Sequence, residues 1–393
     1  MKDKKIEKLI KDEETRQKKV INLIPSENYV SKDVLTALGS IFDNKYAEGY
    51  PHARYYGGQT NTDKLEELCQ ERALKLFKLV KNEWYVNVQP LSGAPANLAV
   101  YLGLVPLGGK IMGLPLSSGG HLSHGQKVSI TGKAWQQTPI EIDSKTERIN
   151  YEKMEADAIR EKPNLIVVGF TAYPRIVDFK KCREIADASG SILMVDMSHF
   201  AGLVAGEAYP SPFRYADVVT TTTHKTLRGP RAAMIFAKVD ARELWKKIDK
   251  AIFPGLQGGP HMGQIAGVAV ALAEDAKPDF KKYAKQVIKN AQALANELIR
   301  LGWRVISSGT DSHLVLVDVW MNGRGLPGKE AEAKLEKAGI ICNKNTIPGE
   351  TRSPFDPSGI RMGSPAETTR GKKEKDFIQI ARKIDSILRK KQG

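Results

Sequence analysis

The chain has 393 residues, of which 41% are hydrophobic and 27% charged, a composition that excludes a disordered protein and is typical of a soluble globular one. The formal net charge is +15, with +3 in residues 1–20 and +6 in residues 370–393. This distribution favours solvated basic helices at the two ends over a nucleic-acid groove, although an RNA-binding role stays open. At about 150 residues per domain, the length predicts two to three domains.

Other features narrow the setting in which the protein works. The three cysteines are far apart and form no CxxC pair, which argues against a disulfide framework and a zinc cluster and fits a reducing compartment. No apolar run approaches the ~18 residues of a membrane span. The charged start, MKDKKIEKLIKDEE, resembles neither a secretory signal nor an organellar transit peptide, so we expect a cytosolic protein.

The first part of the chain predicts an alternation of helices and strands. An N-terminal helical arm (1–30) comes first, with its helix at 4–20, and further helices are predicted at 63–79 and 179–189. Strands are predicted at 84–88, 110–113, 165–170, 192–196, 218–222 and 233–237. Several of these runs are apolar almost throughout, which is typical of strands covered on both faces of a mostly parallel sheet.

The pattern changes near residue 275. Helices are predicted at 279–301, 328–338 and 373–391, and strands at 303–307, 313–319 and 339–343, with a further strand around Arg361. We therefore expect a large α/β domain over residues 31–275 and a smaller α+β domain over residues 276–393.

Two consecutive strands end in residues that can perform chemistry. The run ILMVDMSH (192–199) places Asp196 at the end of an apolar strand and His199 three residues later. The next strand, 218–222, runs into His224 and Lys225, followed by Arg231 after a Gly-Pro turn. Ligands bind at the carboxyl ends of strands in open α/β sheets, although a helix cap is an equally simple role for Asp196 alone.

The pair of Asp196 and Lys225 matches the needs of pyridoxal phosphate. A lysine in a partly apolar crevice has a lowered pKa and can bond covalently to the aldehyde of this cofactor. An acid beside the pyridine nitrogen keeps that nitrogen protonated, so that the ring accepts electrons.

Other segments could hold the remaining groups of such a site. The segment LSGAPAN (91–97) follows a strand and opens a helix, so its backbone could bind a phosphate. Arg361, in the Gly-flanked strand SGIRMG (358–363), could bind a substrate carboxylate, with a structural ion pair as the simpler alternative. The histidines of GGHLSHG (119–125) lack a neighbouring acid or cysteine, so we predict no metal site and expect one imidazole to stack on the cofactor.

Taken together, these segments resemble the serine hydroxymethyltransferase family, which has the α/β fold of fold type I pyridoxal phosphate enzymes. The resemblance spans about residues 23–370. The segments that carry it are LIPSEN (23–28), NKYAEGYP (44–51), RYYGG (54–58), GGHLSHG (119–125), residues 195–204, TTTTHKTLRGPR (220–231), FPGLQGGP (253–260), GTDSH (309–313) and NKNTIP (343–348).

The resemblance implies a role for each matching residue. Lys225 would carry the cofactor beside Thr222, with Asp196 at the pyridine nitrogen, His121 stacked on the ring, Thr171 adjacent and His199 near the phenolic oxygen and the substrate carboxylate. The residues implied at the phosphate are Ser92, Gly93, Ala94 and His224. Ser26 and Arg361 would hold the carboxylate of serine. The residues implied at the pterin are Leu116, Gly120, Leu122 and Asn345.

The same resemblance implies a homodimer with shared active sites. Glu48 would be the acid/base group at the serine hydroxyl, with Tyr56 nearby. The residues that would reach the site from the other subunit are Tyr46, Glu48, Tyr56, Gly258 and Gly259. The implied reaction moves the hydroxymethyl carbon of serine to a tetrahydropterin, most simply tetrahydrofolate, and leaves glycine.

The chain departs from the family pattern at several positions. Ala94 stands where a second serine is usual, Gln59-Thr60-Asn61 where Cys-Glu-Tyr is usual, Ala232-Ala233 where a glycine pair is usual, and Val268 where a lysine is common. Thr171 replaces a serine conservatively.

The departures and the composition leave alternatives open. One is an aldolase on β-hydroxy amino acids with little or no pterin use, and another is a tetrahydromethanopterin-type carrier. An RNA-binding protein is disfavoured, because the basic ends lack interleaved aromatic residues. A catalytically inactive scaffold is disfavoured by the presence of Lys225 and Glu48.

Overall fold

A seven-stranded sheet lies at the centre of the structure, a computed structural model that describes residues 1–389. The strands are β1 (Ile21–Asn22), β2 (Gly49–Tyr50), β3 (Ala53–Arg54), β4 (Trp84–Asn87), β5 (Lys110–Gly113), β6 (Gln136–Pro139), β7 (Leu165–Gly169), β8 (Ile192–Asp196), β9 (Val218–Thr222), β10 (Ala233–Lys238), β11 (Arg304–Val305), β12 (Leu314–Asp318), β13 (Ile340–Ile341), β14 (Asn343–Asn345) and β15 (Gly359–Gly363).

Helices cover the sheets and connect their strands. They are α1 (Lys4–Lys19), α2 (Lys32–Leu38), α3 (Thr60–Leu76), α4 (Gly93–Leu104), α5 (Ile130–Ala134), α6 (Tyr151–Glu161), α7 (Phe179–Ser189), α8 (Ala201–Ala205), α9 (Leu244–Lys250), α10 (Met262–Asp275), α11 (Pro278–Arg300), α12 (Gly328–Lys337), α13 (Pro365–Thr369) and α14 (Glu374–Arg389).

The large sheet has the strand order β4-β10-β9-β8-β7-β5-β6. Strand β10 runs antiparallel to both of its neighbours, and the other pairs are parallel, which confirms the predicted mostly parallel sheet. Along β8, Leu193 and Val195 pack into the core on one face of the sheet, whereas Met194 packs into the core on the other. This alternation explains why the central strands are apolar throughout, since successive side chains point to opposite covered faces.

A second, antiparallel sheet has the order β11-β12-β15-β14. Its core is formed with α11, α12 and α14, and it includes Leu23 from the start of the chain. Strand β1 pairs in parallel with β13. Residues 21–23 therefore pack with the second core.

Two predicted strands of this part were wrong in extent. The strand predicted at 303–307 ends at Val305, because Ser307 has a left-handed φ of 54° and its backbone N–H donates to Glu147 Oε2, 2.5 Å away. The strand predicted at 339–343 divides at Cys342, because β13 pairs with β1 whereas β14 pairs with β15 in a different sheet.

The predicted helices match those of the structure, with shifted ends. The helix predicted at 63–79 is α3, which ends at Leu76, and the one predicted at 373–391 is α14, whose predicted end lies outside the described residues. Over residues 1–389, no helix is both long enough and apolar enough to cross a membrane. The three cysteines are buried and unpaired.

Candidate active site

Lys225 lies just beyond the carboxyl end of β9. Its Nζ donates a hydrogen bond to Thr222 Oγ1, 3.0 Å away, and the Thr222 backbone N–H donates to Ser198 Oγ. Burial lowers the pKa of Lys225 to about 8, an effect that the carboxylate of Asp196 opposes and the guanidinium of Arg361 reinforces. A substantial fraction of Lys225 is therefore a neutral, nucleophilic amine near pH 8.

Asp196 ends the neighbouring strand β8 as a buried carboxylate. Its Oδ2 accepts hydrogen bonds from Asn97 Nδ2 at 2.8 Å and His124 Nε2 at 3.1 Å, and its Oδ1 accepts from the Ser198 backbone N–H. Burial alone would raise the pKa of Asp196, but these hydrogen bonds outweigh it and hold the pKa well below its usual value. The carboxylate thus stays ionised and can hold a protonated ring nitrogen.

The two histidines of the 119–125 segment have separate partners. His124 Nδ1 accepts from the His121 backbone N–H, which leaves Nε2 as the nitrogen that donates to Asp196. Burial, reinforced by His124, lowers the pKa of His121 to about 4, so its imidazole is neutral. His124 and Asn97 were missed as partners of Asp196 at the sequence level, because only the fold brings α4 and this loop against β8.

A small anion could bind at the start of α4. The Ser92 side chain makes no capping hydrogen bond there, and Pro95 removes one of the backbone N–H groups of the first turn. Gly93 must lack a side chain, because a Cβ at this position would lie 2.7 Å from Thr222 Cγ2. Ala94 is exposed beside it.

His224 adds a nitrogen without a protein partner. Its Nδ1 is buried and makes no hydrogen bond within residues 1–389, and burial lowers the pKa of His224 to about 3. The side chain is therefore neutral. His224 lines a cavity of about 440 Å³ together with Ser26 and Arg231.

Arg361 extends from the second sheet to the edge of the large one. Its Nη1 donates to the Thr171 carbonyl at 2.6 Å, and its Nε donates to Asn343 Oδ1 at 3.0 Å. Burial lowers the pKa of Arg361 to about 10, which still leaves it charged at neutral pH. Among the described residues it forms no ion pair, which removes the structural alternative considered for it. Its neutral partners leave the charge available to a carboxylate.

Two further predicted site residues, Ser26 and His199, lie close to the strand that carries Arg361 or to its neighbour. Ser26 is next to Pro25, and Pro25 packs closely on Gly363, which lies two residues beyond Arg361. A Cβ built on Gly363 would be only 2.7 Å from the Pro25 Cα. His199 is buried and stacks on His313, which sequence reasoning had not placed in the site. The charge of Lys225 is one of the factors, after burial, that keep the pKa of His199 well below 6.5.

The residues predicted to be shared between subunits form a second group. A Cβ built on Gly258 would lie 3.2 Å from Glu48 Oε1 and 3.5 Å from the Tyr46 hydroxyl, and the rings of Tyr46 and Tyr56 are 5.4 Å apart. Tyr46 and Tyr56 are 58% and 44% exposed. Within residues 1–389, no hydrogen bond or ion pair connects this group to Lys225.

Gln59, the first of the unusual residues 59–61, holds this group in place. Its buried side-chain amide donates to the carbonyls of Tyr46 at 2.9 Å and Gly57 at 3.3 Å. The side chain therefore ties the loop that carries Glu48 to the loop that carries Tyr56. Two other departures, Ala233 and Val268, are buried in the apolar cores.

The predicted pterin residues come from two loops that meet. Thr171 Oγ1 donates to the Gly120 carbonyl at 2.9 Å, and Thr346 Oγ1 donates to the Leu116 carbonyl at 3.5 Å. Asn345 ends β14 next to Thr346, and Leu122 is 45% exposed. Leu116 and Asn345 thus belong to adjoining segments.

Comparison with known proteins settles the family. Residues 1–384 match the family described as serine hydroxymethyltransferase. The chain belongs to the serine hydroxymethyltransferase family. It is 51% identical to the serine hydroxymethyltransferase of Acidobacterium capsulatum, over 96% of this chain and 87% of the relative. It is 50% identical to that of Desulfotalea psychrophila, over 98% of this chain and 88% of the relative.

A eukaryotic relative is similarly close. The chain is 48% identical to a protein of Candida glabrata named serine hydroxymethyltransferase, cytosolic, over 98% of this chain and 86% of the relative. These matches confirm the predicted family, its fold class and its enzyme class, a hydroxymethyltransferase.

Proposed function

We propose that the protein transfers the hydroxymethyl carbon of serine to tetrahydrofolate and leaves glycine, with pyridoxal phosphate bound through Lys225. The observation that carries this proposal is the convergence of Lys225, just beyond the end of β9, with Asp196 at the end of β8 and Arg361 in β15. They supply an amine of lowered pKa, an ionised acid and a guanidinium that forms no ion pair among residues 1–389.

The residues present fit pyridoxal phosphate. Lys225 would bond to its aldehyde carbon, Asp196 would hold its ring nitrogen protonated, and the neutral, flat imidazole of His121 would stack on the ring. Its phosphate would accept hydrogen bonds from the Ser92 hydroxyl, from the free backbone N–H groups at the start of α4 and from His224 Nδ1, which has no hydrogen-bond partner within residues 1–389. When bound, the cofactor serves as an electron sink for the bond broken at Cα of serine.

The side chains around Lys225 orient serine. Arg361 and Ser26 bind the carboxylate, and His199 donates to an oxygen beside it. Thr222 accepts a hydrogen bond from the amine of Lys225 and would hold that amine in place beside the substrate. These contacts would fix the orientation of serine in the site.

Glu48 acts as the acid/base group that accepts the proton of the serine hydroxyl. In our proposal, Glu48, Tyr56, Tyr46, Gly258 and Gly259 reach the Lys225 site of the partner subunit in a homodimer. This arrangement is supported by the exposure of the two tyrosines and by the absence of a hydrogen bond or ion pair to Lys225 within the described part of one chain. A positioned carboxylate can accept the hydroxyl proton as the Cα–Cβ bond breaks.

The carrier occupies the surface between the 116–122 loop and Asn345. Leu116 and Leu122 supply apolar contact for a flat pterin ring, and the Asn345 amide supplies polar contact. Tetrahydromethanopterin has a similar ring system, so these residues favour a tetrahydropterin without separating the two carriers.

A single-turnover assay with three reaction mixtures tests the function. Protein loaded with pyridoxal phosphate is mixed with serine and with tetrahydrofolate, tetrahydromethanopterin or no carrier, and glycine formation is followed. We expect rapid glycine formation only in the mixture that contains tetrahydrofolate. Equal glycine formation without a carrier would support the aldolase, and a preference for tetrahydromethanopterin would replace the proposed carrier.

We also propose a cytosolic location and the division at residue 275. The word cytosolic in the name of the Candida glabrata relative is consistent with the former. The separate core of the second sheet supports the latter, with α11 beginning at Pro278. Limited proteolysis that releases a fragment starting near residue 276 would support the boundary, and cleavage only elsewhere would contradict it.

A further inference from the structure

A buried pair of histidines joins the two sheets next to Lys225. Nδ1 of His199 and Nε2 of His313 are 3.1 Å apart, and their rings stack with centroids 5.3 Å apart and planes at 27°. His199 follows β8, and His313 immediately precedes β12. Their exposed fractions are 3% and 0%, so water does not compete for the contact.

One hydrogen atom is shared between the two rings. Burial lowers the pKa of His199 well below its usual value and that of His313 to about 3, so both rings are neutral at physiological pH. A neutral imidazole has one N–H and one nitrogen lone pair. One ring must therefore donate and the other accept, and the direction sets the tautomer of both.

The second nitrogen of His313 decides the direction. His313 Nδ1 is buried and has no hydrogen-bond partner within residues 1–389. If His199 donated, this Nδ1 would carry a buried N–H without an acceptor, whereas if His313 donates, Nδ1 keeps only a lone pair. In folded proteins, a buried N–H group without an acceptor is rarer than a buried acceptor without a donor. The donor is therefore His313 Nε2.

We propose that His313 is a positioning residue that fixes His199 as a hydrogen-bond donor toward an anionic oxygen in the active site. With its Nδ1 accepting from His313, a neutral His199 carries its hydrogen on Nε2. That Nε2 makes no hydrogen bond to the protein over the described residues and, unlike His313 Nδ1, is not sealed from solvent. The oxygen it meets is the substrate carboxylate or the phenolic oxygen of the cofactor, and only this last step rests on the proposed function.

The tautomer can be measured without any assay of activity. Protein labelled with ¹⁵N-histidine is compared by long-range ¹H–¹⁵N NMR in its cofactor-free and loaded forms, with His199→Asn and His313→Gln used to assign the signals. We expect both rings to carry their hydrogen on Nε2. A His199 ring with its hydrogen on Nδ1 would overturn the proposal, whatever reaction the protein catalyses.

A matched pair of variants tests the consequence for binding. His313→Gln keeps an N–H donor near the position of Nε2, whereas His313→Met has a similar length and no donor. We expect the Gln variant to bind serine and cofactor within about twofold of the parent, and the Met variant to lose about 2- to 12-fold for one of them, the worth of one hydrogen bond. A loss for serine assigns the carboxylate, and a loss for the cofactor assigns the phenolic oxygen.

Thermal unfolding of both variants separates positioning from stability. Equal losses of binding in the Gln and Met variants would show that ring packing, and not the hydrogen bond, matters, and would overturn the proposal. Unchanged binding in the Met variant would do the same. If the Met variant does not fold, the tautomer of His199 in the parent and in the Gln variant decides.

Discussion

Arg361 donates a hydrogen bond from Nη1 to the backbone carbonyl of Thr171, 2.6 Å away. The contact connects the second sheet to the carboxyl edge of the first, where Lys225 and Asp196 lie. It aims the guanidinium at the site while its only other described partner, Asn343, is neutral. A buried cation held by neutral groups gains most from an incoming carboxylate.

Replacing Arg361 with alanine should therefore weaken serine binding. A charge-assisted hydrogen bond contributes roughly 1.5–3 kcal/mol, so Arg361→Ala should raise the dissociation constant of serine by about 10- to 150-fold. Cofactor affinity should stay nearly normal, and Arg361→Lys, which keeps the charge without the fork, should give an intermediate loss. Titration with serine measures the change, and an unchanged dissociation constant would reject this role.

The pKa of Lys225 predicts how cofactor capture depends on pH. The neutral amine is the reactive form, and burial lowers its pKa to about 8. The rate at which cofactor-free protein captures pyridoxal phosphate should rise about tenfold per pH unit below pH 8 and level off above it.

Stopped-flow absorbance measures this rate, with free Nα-acetyl-lysine amide as the reference for an ordinary amine. Borohydride reduction followed by peptide mapping should place the cofactor on Lys225. A rate that keeps rising to pH 10, or a label on another lysine, would show that Lys225 is not the buried nucleophile described here.

A serine at position 94 should strengthen the phosphate site. Ala94 lies in the first turn of α4 beside the uncapped Ser92, where the family usually supplies a second hydroxyl. A neutral hydrogen bond contributes about 0.5–1.5 kcal/mol, so Ala94→Ser should tighten pyridoxal phosphate by a few-fold to about tenfold. Titration of the cofactor-free protein tests this, with Ala96→Ser as a buried control in the same helix. No gain would indicate that another group already serves the phosphate.

Much of the large sheet was predictable from sequence. Strands β7 and β8 are almost entirely apolar, and β9 combines two valines with three buried threonines. Strand β8 ends in Asp196 and β9 leads into Lys225, so the strands and the location of these two residues follow from the sequence pattern. Strand β13 was less predictable. The chain changes from one sheet to another at Cys342, because β13 pairs with β1 and β14 pairs with β15, and these pairings depend on the fold.

The partners of the site residues were harder to predict than the site residues themselves. His124 belongs to a segment that sequence reasoning had singled out, yet its bond to Asp196 depends on how that loop folds over β8. His313 precedes a strand 114 residues after His199, and no local pattern indicates that the two rings stack. Contacts between elements that are far apart in the chain leave no periodic pattern in the sequence, which is why they were missed.

The central claim is that the Glu48 group and the Lys225 group form one active site across two subunits, although no hydrogen bond or ion pair joins them within the described part of one chain. Glu48→Gln keeps the shape of the side chain and removes proton exchange, so carrier-dependent cleavage of serine should fall by ~10²–10⁴-fold. Serine binding should survive, because Lys225 and Arg361 are unchanged.

The most direct measurement mixes Glu48→Gln subunits with Lys225→Ala subunits and follows the transfer of the serine carbon to tetrahydrofolate. If Glu48 serves the partner's Lys225, one of the two sites in each heterodimer contains both intact residues, and activity should return to about half that of the parent per heterodimer. Each variant alone, taken through the same subunit exchange, is the control. Heterodimers that form, as shown by differential tagging, yet stay as inactive as the single variants would contradict the shared site.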